Sequence, residues 1–426
     1  MATTLQGLTP PEFRPAPRRP AWICVQAGHR ERYAVPEALH RVGALERLVT
    51  DVWAPPGSGP ARLAGGPAAR KLRDRFNPGL RGARVTSFTW GSLAWEAAAA
   101  VRKVPAEPRG VARGLRWARL APRALRRAAP AAGSLVFAYC YEALEVFACA
   151  RGLGCTAILG QMDPGPVEDQ KVAEVVRRWP QFRSGFRPGS AAYYARWRQE
   201  CDLARHIIVN SAWSRAALEQ AGIAAAKLVE IPLVFTPGPE ARAFVRTYPA
   251  AFGPLRPLRV LFLGQCILRK GIAETIEAGR PRSGRPVEFV LVGNTDIEGF
   301  SGHFGAGRIR HWPRVSRSEC DRFYKEADVF LFPTHSDGFG LTQLEAQAWG
   351  LPIIASAFCS QVVVPGRTGW CLPEVSSDAI VRTVEEILDH PAELARRSAA
   401  ITPWPFSIGH LGQRLTDLGR SPTPTP

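Results

Sequence analysis

Apolar residues cluster along the chain in short runs separated by glycine-, proline- and polar-rich stretches. Residues 21–27, Ala-Trp-Ile-Cys-Val-Gln-Ala, read as a buried first strand, followed by the polar loop Gly28-His29-Arg30-Glu31-Arg32-Tyr33 and a helix from Val35 to Val42. Further strands are predicted at 134–138, 156–159 and 206–209, with a helix at 197–205 and another at 213–221 capped by Ser211. A second series begins with Leu258-Arg259-Val260-Leu261-Phe262-Leu263-Gly264. It continues with a helix at 272–279 and strands at 287–292, 308–312, 328–332, 353–355 and 370–372. Strands alternating with helices predict parallel sheets, so the expected class is α/β with two doubly wound, Rossmann-like domains.

The 426 residues agree with two domains, and 46% hydrophobic content is ample for two cores. The expected organisation is a flexible segment 1–20, a first domain 21–235, a linker 236–257 and a second domain 258–404. A terminal helix 405–420 and a disordered tail 421–426 follow. The linker is expected from Pro232, Pro237, Pro239, Pro249, Pro254 and Pro257, whose spacing suggests a hinge. No apolar run reaches the ~18 residues of a membrane span, and Met1–Pro20 has no apolar core of a secretory signal. Nine unpatterned cysteines suit reduced thiols, so a cytoplasmic protein is expected, with the possibility of a peripheral place at the inner membrane face. Cys266 stands in a candidate ligand loop and reads as buried and inert.

The net charge is +18, and it is unevenly placed. Arg62 to Arg127 holds sixteen Lys/Arg against Asp74, Glu96 and Glu107. Arg109, Arg113, Arg116, Arg119, Arg123, Arg126 and Arg127 recur at three- and four-residue steps and line one helical face. Two readings stay open: a solvated arginine-rich surface, or a patch for an anionic membrane surface or other polyanion. The run has neither a nucleic-acid recognition motif nor interleaved aromatic platforms, and no nucleic-acid partner is expected.

The chemistry concentrates between the strands at 328–332 and 353–355. Asp337-Gly338-Phe339-Gly340-Leu341-Thr342-Gln343-Leu344-Glu345 reads as a glycine-rich turn opening a helix. The amides of Gly340, Leu341 and Thr342 would face a phosphate from the helix N-terminus. Gly338 and Gly340 allow close approach, with Phe339 as packing anchor. Asp337 and Glu345 are carboxylates, poor phosphate ligands but good acceptors for hydroxyls, so sugar hydroxyls on either side of a diphosphate are indicated: a nucleotide-sugar. Upstream, Gly264-Gln265-Cys266-Ile267-Leu268-Arg269-Lys270-Gly271 places a glycine after a strand and two cations where a departing diphosphate gathers charge. The base would lie near His311-Trp312-Pro313-Arg314-Val315, with Val315 as a donor-binding candidate and Trp312 as core.

These two loops resemble the acidic motif and the Gly-Arg…Lys-Gly loop of retaining GT-B glycosyltransferases of family 4, the group 1 glycosyl transferases. Asp337 stands where the family has Glu, Gln265 where an arginine is common, and Glu345 matches. The run Asn210-Ser211 to Pro232 resembles the segment before the family's interdomain linker. The resemblance implies a GT-B fold with a central cleft and a terminal helix crossing back to the first domain. It also implies a retaining hexosyltransferase activity without metal. In that reading Arg269 and Lys270 stabilise the leaving diphosphate, Glu345 accepts the ribose hydroxyls and Asp337 holds the sugar. The acceptor, a glycan, a lipid-linked or a small molecule, would meet the first domain. Gly28, His29, Arg30 and Arg32 are candidates there, joined by Tyr139 and Glu142 where the family often has histidine, and by Asp163. No cofactor is implied beyond the donor, and no Asp-x-Asp pair exists, Asp296-Ile297-Glu298 being the nearest approach. The rival from another class is a nucleotide-sugar-binding scaffold that has lost turnover; a nucleic-acid-binding protein stands further off.

Overall fold

The computed structural model describes residues 21–63, 72, 75–280, 285–305, 308–313, 315–402 and 406–420. The expected segments 1–20 and 421–426, Arg314 and part of the run 62–127 therefore lie outside the described residues. The first sheet has seven strands: β1 (Trp22–Gln26), β2 (Leu45–Thr50), β3 (Val85–Ser87), β4 (Leu135–Tyr139), β5 (Thr156–Gly160), β6 (His206–Val209) and β7 (Leu228–Glu230). Their order is β3-β2-β1-β4-β5-β6-β7, all parallel. Side-chain alternation divides its central strands between two cores. Ile23, Val25, Val136 and Ala138 face one, while Trp22, Cys24, Leu135 and Phe137 face the other. Helices cover both faces, which is why β1 and β4 are buried throughout.

The second sheet has six strands: β8 (Leu258–Leu263), β9 (Val287–Val292), β10 (Ile309–Trp312), β11 (Val329–Phe332), β12 (Ile353–Ala355) and β13 (Gly369–Cys371). Their order is β10-β9-β8-β11-β12-β13, again parallel. In each sheet the strand order reverses once, between β1 and β4 and between β8 and β11. Loops leaving the carboxyl ends of those strands diverge there, and the crevice between them is where open α/β sheets bind ligands.

Two features join the domains. The helix Ile408–Arg420 returns to the first domain, where Leu411, Leu415 and Leu418 pack with Ala38 and Leu39 of the helix Ala34–Arg41. The outgoing and returning strands run side by side, with Phe235 N–H donating to Phe406 O at 3.1 Å. The proline-rich run expected as a linker and hinge is held to the second domain. It forms a short helix, Pro239–Ala243, with Ala241 buried. Arg246 donates to the carbonyls of Tyr324 (2.6 Å) and Trp349 (2.9 Å). The prolines set local turns, and apolar burial plus the half-buried Arg246 guanidinium fastens them down.

Candidate functional site

The switch point of the second sheet brings together the two loops that the sequence singles out. The loop after β8 carries Arg269 and Lys270, and the loop after β11 carries Ser336 to Gly340. They are laced by hydrogen bonds: His335 N–H to Arg269 O (2.8 Å), Thr334 Oγ1 to Arg269 O (3.1 Å) and Arg269 Nη1 to Ser336 O (2.8 Å). Lys270 Nζ lies directly against Asp337 Oδ2, and Arg269 Nη1 is 3.8 Å from Asp337 Oδ1. Gly340 adopts φ +88° and opens the helix Leu341–Ala348, with no side chain capping it. The first amides of that helix thus remain available to an anion. Phe339 is 1% exposed and seats the turn on the core. On the opposite side a Cβ at Gly264 would meet nothing within 4 Å, so this backbone borders open space.

The first domain closes over the site through its own carboxyl-end loops. Glu168, at the start of the helix Pro166–Arg178 that follows β5, is 3.4 Å from Arg269 Nη1 and accepts from Ser336 Oγ at 3.0 Å. Ser211 Oγ donates to Gly338 O at 2.7 Å, and Trp213 Nε1 donates to Ser336 Oγ at 3.1 Å. Gly338 packs so tightly on Met162 that an added Cβ would fall 2.0 Å from the Met162 carbonyl oxygen. Arg32, on the loop after β1, reaches Glu345, Nη2 to Oε1 at 3.0 Å, while Tyr324 OH donates to Glu345 Oε2 at 3.0 Å.

The charges here are matched but concentrated. Burial, and then the neighbouring Arg269, press Lys270 well below the usual lysine range, with Glu168 pulling the other way, and its Nζ rests against the Asp337 carboxylate. Burial also raises Glu168, with Arg269 pulling the other way. Two guanidinium and ammonium groups beside uncapped helix amides can receive a diphosphate, which would replace carboxylates that hold them now.

The predicted site residues divide by place. Arg269, Lys270, Asp337, Gly338, Gly340, Leu341 and Thr342 come together at the switch point, with Glu345 one turn into the helix. Gln265 is exposed beside Gly264, and Val315 is half-buried against the apolar cluster that also holds Trp312. Asp337, expected on the sugar, rests its carboxylate against Lys270. The acceptor-side candidates scatter more. Gly28 N–H donates to Asp51 Oδ1 at 2.8 Å. His29 lines a cavity described below. Glu142 holds the loop after β1, through Arg30 Nη2 at 3.0 Å and Ala27 N–H at 3.4 Å. Tyr139 is a correction: expected toward the acceptor, it is 2% exposed and donates its hydroxyl to Glu31 Oε2 at 2.9 Å. Asp163 is half-buried; its Oδ1 accepts from Tyr141 OH (2.7 Å), Gly165 N–H (2.9 Å) and Gln161 Nε2 (3.2 Å), which fixes the turn, and it lines a cavity with Tyr141, Glu168 and Tyr193.

Sequence reasoning missed Glu168, Ser336, Tyr324 and Glu31. Glu168 follows Pro166 in the first turn of a helix, a position that reads as ordinary helix-start acid until the other domain is in place. Glu31, Arg32 and Tyr33 all have positive φ, 47°, 55° and 63°. Three consecutive left-handed residues other than glycine are strained, and no sequence signal announces them.

Residues 251–402 match the family described as glycosyl transferases group 1. D-inositol 3-phosphate glycosyltransferase of Mycolicibacterium gilvum is 30% identical over 200 residues, 44% of this chain and 44% of that protein. The chain thus spans under half the length of the curated relatives it matches. Among solved structures, Anabaena HepE in complex with UDP and glucose superposes with a TM-score of 0.59 at 14% identity, covering 93% of this chain and 99% of HepE. Sucrose-phosphate synthase from Thermosynechococcus elongatus gives 0.59 at 19% identity, covering 94% and 98%. The fold is GT-B.

Proposed function

We propose that this chain, whose second domain is a group 1 glycosyl transferase domain, is a retaining glycosyltransferase that moves a sugar from a nucleoside-diphosphate-sugar to a hydroxyl acceptor without a metal ion. The observation that carries the reading is the convergence of Arg269, Lys270 and the uncapped helix at Leu341 at one switch point, with Glu345 a turn away. The diphosphate would lie on the two cations and the helix amides, and the ribose hydroxyls would donate to Glu345. In the reaction the acceptor oxygen bonds to the anomeric carbon as the bond from that carbon to the phosphate oxygen breaks. The acceptor proton passes to the departing phosphate oxygen on the same face. Arg269 and Lys270 stabilise the charge that develops there, the part a divalent ion plays in other transferases.

UDP is the first nucleotide to test, because HepE structures hold UDP and UDP-glucose. The experiment is calorimetric titration with UDP, GDP, ADP and their sugar conjugates, in chelator, followed by assay of sugar release. Binding of one nucleotide, lost in Lys270→Ala and Glu345→Ala, is expected. A folded protein that binds none of them would overturn the reading in favour of a scaffold. The arginine face of the helix Ala106–Ala128 supports a place beside an anionic membrane, with Arg113, Arg119, Arg123, Arg126 and Arg127 exposed. Among the described residues no helix is long and apolar enough to cross one.

A further inference from the structure

At the carboxyl ends of β1 and β2, on the far side of the loop 28–33 from Glu345, the first domain encloses a cavity of about 680 Å³. That size falls in the ~300–1,000 Å³ range of sites for small molecules. Its floor is the pair of strand ends at Ala27 and Asp51, with His29 at the edge. Its roof is a helical hairpin, Thr89–Val101 and Ala106–Ala128, which contributes Trp90, Leu93, Trp117 and Leu120. Trp90 remains 58% exposed at the rim of this cavity. Large apolar side chains left open to water beside an apolar cavity mark a place where something apolar is received.

The cations in the wall are not equivalent. Arg75 is committed to Asp51 (3.1 Å) and Arg113 to Glu96 (2.6 Å). Arg116 has no carboxylate or hydrogen-bond acceptor among the described residues; its guanidinium lies over Gly91, where an added Cβ would be 2.7 Å from Nη2. The cavity therefore offers an apolar wall and one uncommitted guanidinium. That combination matches a molecule with an apolar body and a single anionic group.

We infer that this cavity is the acceptor site, and that the acceptor is an amphiphilic anion, an apolar chain bearing a phosphate or carboxylate. The inference deepens the glycosyltransferase reading and rests on it for the word acceptor, though the binding site stands independently. The apolar chain lies against Trp90, Leu93, Trp117 and Leu120, and the anionic group pairs with Arg116. The loop 28–33 connects this cavity to the donor site, His29 lining one and Arg32 touching Glu345 of the other.

The test uses the full chain and three probes below their aggregation limits: octyl phosphate, 1-octanol and inorganic phosphate, each titrated by calorimetry. UDP is titrated in parallel. Octyl phosphate is expected to bind about ten-fold or more tighter than octanol, the worth of one charge-assisted hydrogen bond, and inorganic phosphate not to bind. Arg116→Gln should bring octyl phosphate down to the level of octanol, and Trp90→Ala should weaken both. Neither substitution disturbs the core, since Arg116 is half-buried with no hydrogen-bond acceptor among the described residues and Trp90 is exposed. Equal binding of octanol and octyl phosphate by the unaltered protein, or octyl phosphate binding unmoved in both variants, overturns the inference. So does binding to phosphatidylglycerol vesicles without binding of monomeric octyl phosphate, which assigns the arginine face to a membrane surface instead. Octyl phosphate binding that responds to both variants in a protein that ignores every nucleotide supports the site and sinks the transferase reading alone.

Discussion

Arg32 and Glu345 stand 3.0 Å apart across the interdomain cleft, Nη2 against Oε1, although 313 residues separate them in the chain. Arg32 is half exposed, so this pair alone contributes on the order of 0–1 kcal/mol to holding the domains together. Its interest is competitive, because in the proposed complex the ribose hydroxyls need the same carboxylate. Arg32→Ala should therefore leave folding almost unchanged and tighten nucleotide binding up to about five-fold. The effect should fade as salt rises. Titration of the variant at two ionic strengths checks this, and weaker binding would show that Arg32 contacts the donor itself.

Lys270→Ala should lower turnover by about 10²–10³-fold, the cost of removing one fixed donor from a developing oxyanion. Asp337 would then be left without its closest cation, so Lys270→Ala with Asp337→Asn should recover folding stability and not turnover. Urea unfolding and initial rates on the two variants separate these outcomes.

Gly338→Ala tests the packing of the two domains. The added methyl meets the Met162 carbonyl oxygen, a backbone atom that cannot rotate away. A stability loss of about 1–3 kcal/mol is expected by overpacking, and the hydrogen bonds from Ser211 and Ser214 to Gly338 O should loosen with it. A melting temperature equal to that of the unaltered protein would mean that the domains stand further apart in solution.

Burial raises Glu31 to about 7, with the Tyr139 hydroxyl drawing it partly back. The folded protein therefore holds this proton more tightly than the unfolded chain, whose carboxyl titrates near 4.5. Stability from this group is full below about pH 4.5 and is lost as pH rises toward about 7. Glu200, buried under the amides of Tyr141, Ala143 and Leu144, is raised to about 7 in the same way and adds to the slope. Glu31→Gln should flatten part of that slope, being nearly neutral at pH 5 and stabilising at pH 8. Denaturant unfolding at the two pH values measures it, and an unchanged slope would mean that Glu31 is solvated in the folded state.

Leu415→Ala should cost about 2–5 kcal/mol, because Leu415 is wholly buried between the returning helix and the helix Ala34–Arg41. Urea denaturation followed by circular dichroism reads it directly, and a cost below 1 kcal/mol would show that the helix is loosely docked.

The strands with long apolar runs were legible in the sequence, and so were both loops of the second switch point, because glycines and paired charges mark them. β2 was not: Glu46 and Arg47 interrupt its apolar pattern, and only its last three residues are buried. β3, three residues long, carries too few positions for a period to show. Asp337 and Glu345 were visible as a pair, but their partners Lys270, Arg32 and Tyr324 come from other elements, and only folding decides which carboxylate meets which cation. Tyr139 misled for the same reason. A polar residue after a strand has the same sequence appearance whether it faces a ligand or completes a turn. The hairpin over that cavity reads as a charged face, since Trp90 lies across the turn from the arginines and Trp117 stands singly among them.

The docking of Ile408–Arg420 also sets an order of events during synthesis. Leu411, Leu415 and Leu418 fill one core of the first domain, yet the ribosome makes them only after the whole second domain. Until they emerge, the apolar face of the helix Ala34–Arg41 is uncovered, and one core of the first domain lacks three buried leucines while its neighbour folds. A stall while the second domain is being made therefore leaves that apolar face open to water, the kind of surface on which partly folded chains aggregate.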